Sequence, residues 1–519
     1  MRAQEFFAAF ALVILLAAPP PATPAPAGQS QPPGAGPEPG KVVYLQHCAA
    51  CHGIAGDGSG PASVWLFPRP RNFSAGLCKF KSTPGTALPT DQDLFATVTR
   101  GMPGSSMPSF TYLTEQERRD AVQYIKYLTA YTDSSGKRIN RFAQAKQYGQ
   151  LADSIQVPPE PPVTVQSLAE GARLFSKLNC VLCHGETGAG DGPNAPSLKD
   201  TQGLYLPPRD FNTGAFRGGH TGRDLYTRIA IGLAGTPMVG FDDKVMTPHE
   251  RWSLVHFIQS LRRKEVEIND LLAPSDGTVH VARTRGKLPV DPADPAWEGL
   301  DPVRISLNPL WPEKDVIYAV AVRALHDRKR LAILCTWKDP APDGAPVRVQ
   351  DFQDAVALQF SMNGNTPFLG MGDANNPVNI WQWKAGWQQE TDGHRQDMSD
   401  QYPAMHVDTY FATSYRTAVD AGNEVSIPHR SPVEDANARG FGTLKSQPPS
   451  GQNVSGKGVW RDGSWSVVFV RELSSKDRDD VKFAVGRATP VAFAVWDGQN
   501  RDRNGRKVVS NWHKLILEP

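Results

Sequence analysis

Two stretches decide the fold: residues 48–61, CAACHGIAGDGSGP, and residues 180–193, CVLCHGETGAGDGP. Each opens with Cys-x-x-Cys-His. The first supplies Cys48, Cys51 and His52, the second Cys180, Cys183 and His184. This pattern is the attachment signature of a c-type haem. The chemistry sets the spacing: two thiols on one helical turn reach the two vinyl groups of one porphyrin. The next residue then puts an imidazole beneath the iron. A thioredoxin-like dithiol or half of a zinc site also uses Cys-x-x-Cys. Neither explains a histidine in the next position twice.

Both stretches belong to a longer repeat with a period of 132 residues. Pro70-Arg71-Asn72-Phe73 answers Pro208-Arg209-Asp210-Phe211. The loop Arg100–Phe110, with Met107, answers Ile231–Phe241, with Met238. Met107 lies 59 residues after Cys48, and Met238 lies 58 after Cys180. Helical patterns over Thr114–Tyr131 and Thr247–Leu261 close the copies, and Thr114/Glu117 and Thr247/Glu250 read as capping boxes. Residues 41–131 and 168–265 resemble class I cytochromes c. The resemblance implies two all-α domains, each around one covalent haem c. It makes His52 and His184 the proximal ligands and Met107 and Met238 the distal ones. A thioether is a soft ligand that raises the potential. Met102 and Met246 compete for the distal positions. His47 has no counterpart in the second copy and reads as a surface histidine. Cys78 and Cys335 read as unpaired thiols, with a disulfide between them as the alternative.

The remaining composition is permissive. A net charge of +2 gives no basic field for nucleic acid. At 40% hydrophobic residues the chain is too polar for a multi-span membrane protein. Phe6–Ala18 is a 13-residue apolar run behind Arg2, shorter than the roughly 20 residues of a spanning helix. Residues 1–22 therefore read as a secretory signal peptide, with an uncleaved anchor as the alternative. Residues 23–40 read as a Pro/Ala-rich spacer, and 132–167 and 266–299 as linkers.

After residue 300 the helical period gives way to short β-rich runs: Val316–Val322, Leu331–Trp337, Ala355–Phe360, Val378–Trp383, Val467–Val470, Val481–Val485, Val491–Trp496 and Trp512–Leu517. Trp460–Trp465 reads as a hairpin about Asp462-Gly463. The pattern predicts an all-β antiparallel sandwich over 300–519. Two stretches stand out: Phe368-Leu-Gly-Met371-Gly-Asp-Ala-Asn-Asn-Pro377-Val-Asn-Ile-Trp381-Gln-Trp383-Lys384, and Ala494–Lys507. They resemble the haem-binding gamma subunits of ethylbenzene dehydrogenase and related molybdenum enzymes, such as dimethyl sulfide dehydrogenase and chlorate reductase. The resemblance implies one non-covalent haem b held by Met371 and Lys507, with His513 and Lys384 next in line for the second position. Lysine ligation requires a neutral amine, which burial favours. The rival is a haem-free sandwich of carbohydrate-binding type, in which Trp381, Trp383 and Trp387 stack on sugars.

The chain thus reads as an exported, periplasmic electron carrier without a catalytic site of its own. Its partners would be the catalytic and iron–sulfur subunits of a molybdenum enzyme and a soluble or membrane cytochrome. A dihaem enzyme of peroxidase type is the alternative, and it would need an open iron position.

Overall fold

The computed structural model describes residues 37–263 and 277–519, except 314, 346, 368, 369, 397 and 405–427. The signal peptide expected over 1–22 and residues 23–36 of the expected spacer lie outside the described residues.

Two helical units come first, built to one plan. The first comprises α1 (Glu38–His47), α2 (Ala49–His52), α3 (Asp91–Arg100) and α4 (Glu115–Leu128). After β1 (Ala130–Thr132), β2 (Arg138–Asn140) and α5 (Arg141–Gln147) comes the second: α6 (Val165–Lys177), α7 (Val181–His184), α8 (Gly222–Ile231) and α9 (Pro248–Ser260). In each unit the first and last long helices cross at a glycine. A β-carbon on Gly40 would lie 2.1 Å from the Asp120 carbonyl oxygen, and one on Gly171 would lie 2.1 Å from that of Ser253. Only hydrogen fits at either crossing. Tyr44, Val122, Tyr124 and Ile125 fill the first core; Phe175, Tyr226, Leu254 and Val255 fill the second. The closing helices start at capping boxes, Thr114 with Glu117 and Thr247 with Glu250, each worth about 1 kcal/mol. Residues 132–167, expected as linker, carry the β1–β2 pair and α5, whose Phe142 and Ala145 are buried. That helix is one short amphipathic turn pattern inside a polar stretch, and composition averages it away.

The C-terminal domain is a sheet. Its strands are β3 (Thr278–Arg283), β4 (Val303–Ser306), β5 (Asn308–Pro309), β6 (Ala319–His326), β7 (Arg330–Lys338), β8 (Ala355–Ser361), β9 (Val378–Lys384), β10 (Val433–Ala438) and β11 (Lys445–Ser446). They continue with β12 (Ser455–Arg461), β13 (Ser464–Glu472), β14 (Ala488–Trp496), β15 (Val508–Val509) and β16 (His513–Leu517). The main order is β11-β10-β9-β8-β14-β16-β3-β6-β7-β13-β12. The sheet is mixed, where sequence predicts only antiparallel pairs: β16 and β6 both run parallel to β3. That strand lies in the stretch 266–299 expected as linker. Its alternation is real, Val279 and Val281 being buried and His280 exposed, but only six residues long. The hairpin forms as read, with Trp460 opposite Trp465. Asp462 and Gly463 have φ of 50° and 73°, the positive pair a tight twisted turn requires. Val481–Val485 forms no strand: Val481 and Phe483 bury their side chains, but the Phe483 amide donates to the Leu473 carbonyl outside any ladder.

The two ends of the sheet face each other over one core. Trp383 of β9 meets Trp465 of β13 edge-on, with ring centroids 4.8 Å apart. Trp381 and Trp383 are fully buried there, so neither is placed to stack on a sugar. Trp387 lies flat against His429 with centroids 3.8 Å apart. Among the described residues no helix is long and apolar enough to cross a membrane.

Candidate functional site

Each Cys-x-x-Cys-His lies on a single helical turn, α2 or α7, closed by a glycine of positive φ, Gly53 or Gly185. The histidine leaves that turn with one ring nitrogen already fixed. His52 Nδ1 lies 2.9 Å from the Arg71 carbonyl oxygen, and His184 Nδ1 lies 3.1 Å from that of Arg209. A carbonyl only accepts, so Nδ1 carries the proton and Nε2 keeps its lone pair. Burial holds both imidazoles below their ordinary pKa, against the raising effect of that hydrogen bond. Both are therefore neutral at pH 7, the form that ligates metal. Phe73 and Phe211 stack on these rings at centroid distances of 4.7 and 4.4 Å. The Pro-Arg-x-Phe repeat thus orients the histidine in each copy. Its recurrence was visible in the sequence; its contact with the histidine, some 20 residues away, was not.

Three of the thiols, Cys48, Cys51 and Cys180, are neutral as well. Burial pushes Cys48 and Cys51 up to about 12 and Cys180 up to about 11. These are not the acidic thiols of a disulfide oxidoreductase. All six cysteines are unbridged, Cys78 and Cys335 included.

The two copies share one cavity of about 520 Å³. Cys48, Cys51, His52 and Met107 line it from the first unit, and Cys180, Cys183, His184 and Met238 from the second. The methionine loops close alike: the Met102 amide donates to the Met107 carbonyl at 2.9 Å, and the Leu233 amide to that of Met238 at 3.0 Å. Met102 also lines the cavity, whereas Met246 is buried in the second unit's core. His47 is no surface histidine. It lines the cavity, and its Nδ1 lies 3.1 Å from the Tyr112 hydroxyl. A covalent haem fits this lining, which is mostly apolar. Its polar atoms include buried guanidinium nitrogens that bond nothing, among them Arg71 Nη2 and Arg209 Nε.

Met371 and Lys507 border one apolar cluster on the second face of the sheet. Strands β8 and β14 alternate strictly. Val356, Leu358, Val491 and Phe493 enter the main core, while Ala355, Ala357, Ala492 and Ala494 point the other way. With Ala438, Val378 and Ile380 they make a smooth face that ends in Trp496 and Trp512. Ala355, Ala357 and Ala492 present only methyl groups there. Met371 packs against this cluster from a turn where its own φ is 72°, a conformation a long side chain adopts only when its surroundings hold it. Lys507 Nζ sits 4.7 Å above the Trp496 ring. Burial pulls its ammonium down to about 8, and no carboxylate pairs with it among the described residues. Lys384, the competitor, is committed to Glu434 at 2.7 Å. His513 packs edge-on to Phe493, which belongs to the main core. The alanine face was legible as Ala-x-Ala in both strands, but alanine carries little weight in reading a sheet face from sequence.

Trp512 belongs to this cluster and also lines the shared cavity, its indole donating to the Pro367 carbonyl at 2.7 Å. Next to it, Asn511 Nδ2 donates to the Ser109 carbonyl, two residues beyond Met107.

Residues 37–129 and 168–262 match the family model for cytochrome c, and residues 294–508 that for ethylbenzene dehydrogenase. The chain is 28% identical over 251 residues to the dimethylsulfide dehydrogenase subunit gamma of Rhodovulum sulfidophilum, covering 45% of this chain and 77% of that one. It is 26% identical over 198 residues to the chlorate reductase subunit gamma of Ideonella dechloratans, covering 38% of this chain and 64% of that one. A solved structure of the reducing HAO-like protein complex of Kuenenia stuttgartiensis shares 37% identity over 45% of this chain and 100% of that one, with a TM-score of 0.40.

Proposed function

We propose that this chain, which joins cytochrome c domains to an ethylbenzene dehydrogenase-type domain, is the electron-transfer subunit of an exported molybdenum-enzyme complex. It carries two covalent haems c and one non-covalent haem b. It relays single electrons in the periplasm between the catalytic and iron–sulfur subunits and a soluble or membrane cytochrome. One observation carries the reading: both attachment motifs and both methionine loops open into one cavity, and Trp512 joins its wall to the face bordered by Met371 and Lys507.

Each haem supplies a one-electron iron couple. The protein's part is to hold it and to exclude competing chemistry. His52 and His184 would hold the covalent haems through Nε2, and Met107 and Met238 would do so through a soft sulfur. Met371 and the readily deprotonated Lys507 would do the same for haem b on the alanine face. With a histidine and a methionine available to each covalent haem, no position would remain for peroxide, which counts against the dihaem peroxidase. The gamma subunits that the chain resembles are named as parts of a chlorate reductase and a dimethylsulfide dehydrogenase, which supports a molybdenum-enzyme host.

Purified alone, the chain is expected to exchange electrons with small redox mediators and to turn over no substrate. Stopped-flow mixing with hydrogen peroxide checks this. Turnover above about 1 per second, within the usual range of enzymes, would favour the peroxidase.

A further inference from the structure

Six cations line the shared cavity, Arg69, Arg71, Lys79, Arg209, Arg217 and Arg228, and the repeat sets four of them in pairs. Arg71 and Lys79 of the first unit occupy the positions of Arg209 and Arg217 of the second, each pair flanking Asn72-Phe73 or Asp210-Phe211. Their charges are poorly answered. Lys79 has Asp200 at 3.7 Å. Among the described residues no carboxylate forms an ion pair with Arg71, Arg209 or Arg217. Arg71 Nη2, Arg209 Nε and Arg217 Nε are buried with no hydrogen-bond partner. Burial, and then the neighbouring Arg209, pull the Arg217 guanidinium down to about 9. Buried charge without a partner is strongly unfavourable, so this wall calls for an anion.

The arginines also cross between the units. A β-carbon on Gly104, in the Met107 loop, would lie 2.6 Å from Arg209 Nη2. One on Gly235, in the Met238 loop, would lie 3.4 Å from Arg71 Nη2. Gly104 and Gly235 each stand three residues before their methionine, with φ of 70° and 73°. Each arginine therefore anchors its own unit's histidine through its carbonyl. Its guanidinium reaches the methionine loop of the other unit.

We propose that Arg71, Lys79, Arg209 and Arg217 bind the propionate carboxylates of the two covalent haems, with Arg71 and Arg209 acting crosswise, each on the haem attached to the other unit. The proposal rests on the two-haem reading above. Two haems bring four carboxylates to this cationic wall, and the planar fork of arginine suits a carboxylate in a dry site. Neither haem site is then complete within one unit, and a charge on one unit tunes the potential of the other.

Redox titration of the full chain tests this. In a Met107→His background the first haem titrates at lower potential and is read separately. There Arg209→Gln is expected to lower the first haem's potential and Arg71→Gln the second's. The charge-retaining Arg209→Lys and Arg71→Lys should recover most of each shift. Arg173→Gln, at an exposed pair with Glu170, should move neither. If each arginine moves only its own unit's haem, the crosswise assignment is wrong. If neither glutamine variant moves a potential, the propionate role is wrong. Where a glutamine variant fails to mature, Arg209→Lys is read by resonance Raman: the first haem's propionate bending band should shift, and an unmoved band overturns the proposal. Haem staining of the parent on denaturing gels is scored first. Absence of two covalent haems there overturns the underlying reading itself, apart from the arginines.

Discussion

Replacing Cys48 and Cys51 by serine should halve the haem stain of the chain on a denaturing gel, and adding Cys180→Ser and Cys183→Ser should abolish it. The effect is all-or-none because a thioether bond survives unfolding, whereas every other contact to the haem is lost in detergent. The thiols are placed for it: each pair lies on one turn, unbridged, on the wall of a cavity that also holds the histidine. A four-serine variant that still stains at the parent level would refute attachment at these motifs.

The second large effect concerns the alanine face. Haem b leaves a protein in acid acetone and haem c does not, so extractable haem reports this site alone. Met371→Ala is expected to remove most of the extractable haem from the full chain. Lys507→Ala should leave the haem with a water-ligated or five-coordinate iron. Lys507→Arg should resemble Lys507→Ala although it keeps the positive charge, because guanidinium stays protonated and has no lone pair to give. Lysine can give one, its ammonium being held near 8 by burial. Normal extractable haem with an unchanged spectrum in Lys507→Arg would move the second ligand elsewhere. The full chain is required. A fragment of residues 300–519 would lack β3, which lies between β16 and β6 and carries Val279 and Val281 into the core.

What could be read in advance follows from how local each signal is. The Cys-x-x-Cys-His motifs, capping boxes and Asp462-Gly463 turn are each set within a few residues; the caps and the turn form as read, and each motif lies on one helical turn. The repeat adds long-range information without any contact, because matched positions imply matched surroundings. This is how Met107 and Met238 were singled out. What escaped depends on contacts between distant segments. Nothing near His47 announces Tyr112, which meets it from 65 residues away. Strand β3 is too short to stand out from its polar flanks, and one of its two parallel partners, β16, comes from the far end of the domain. The two units' shared cavity belongs to neither repeat alone. The arginines illustrate the same limit. Arg71 and Arg209 were visible as a repeated motif, yet their reach into the opposite unit is a property of how the units meet.

The central claim is that one chain carries two covalent haems and one removable haem within a single relay. Acid-acetone extraction of the purified full chain, followed by pyridine haemochrome spectra of pellet and supernatant, measures this directly. The account predicts two haems c per chain in the pellet and one haem b in the supernatant. A pellet with fewer than two haems c, or a haem-free supernatant from a fully loaded preparation, would contradict it.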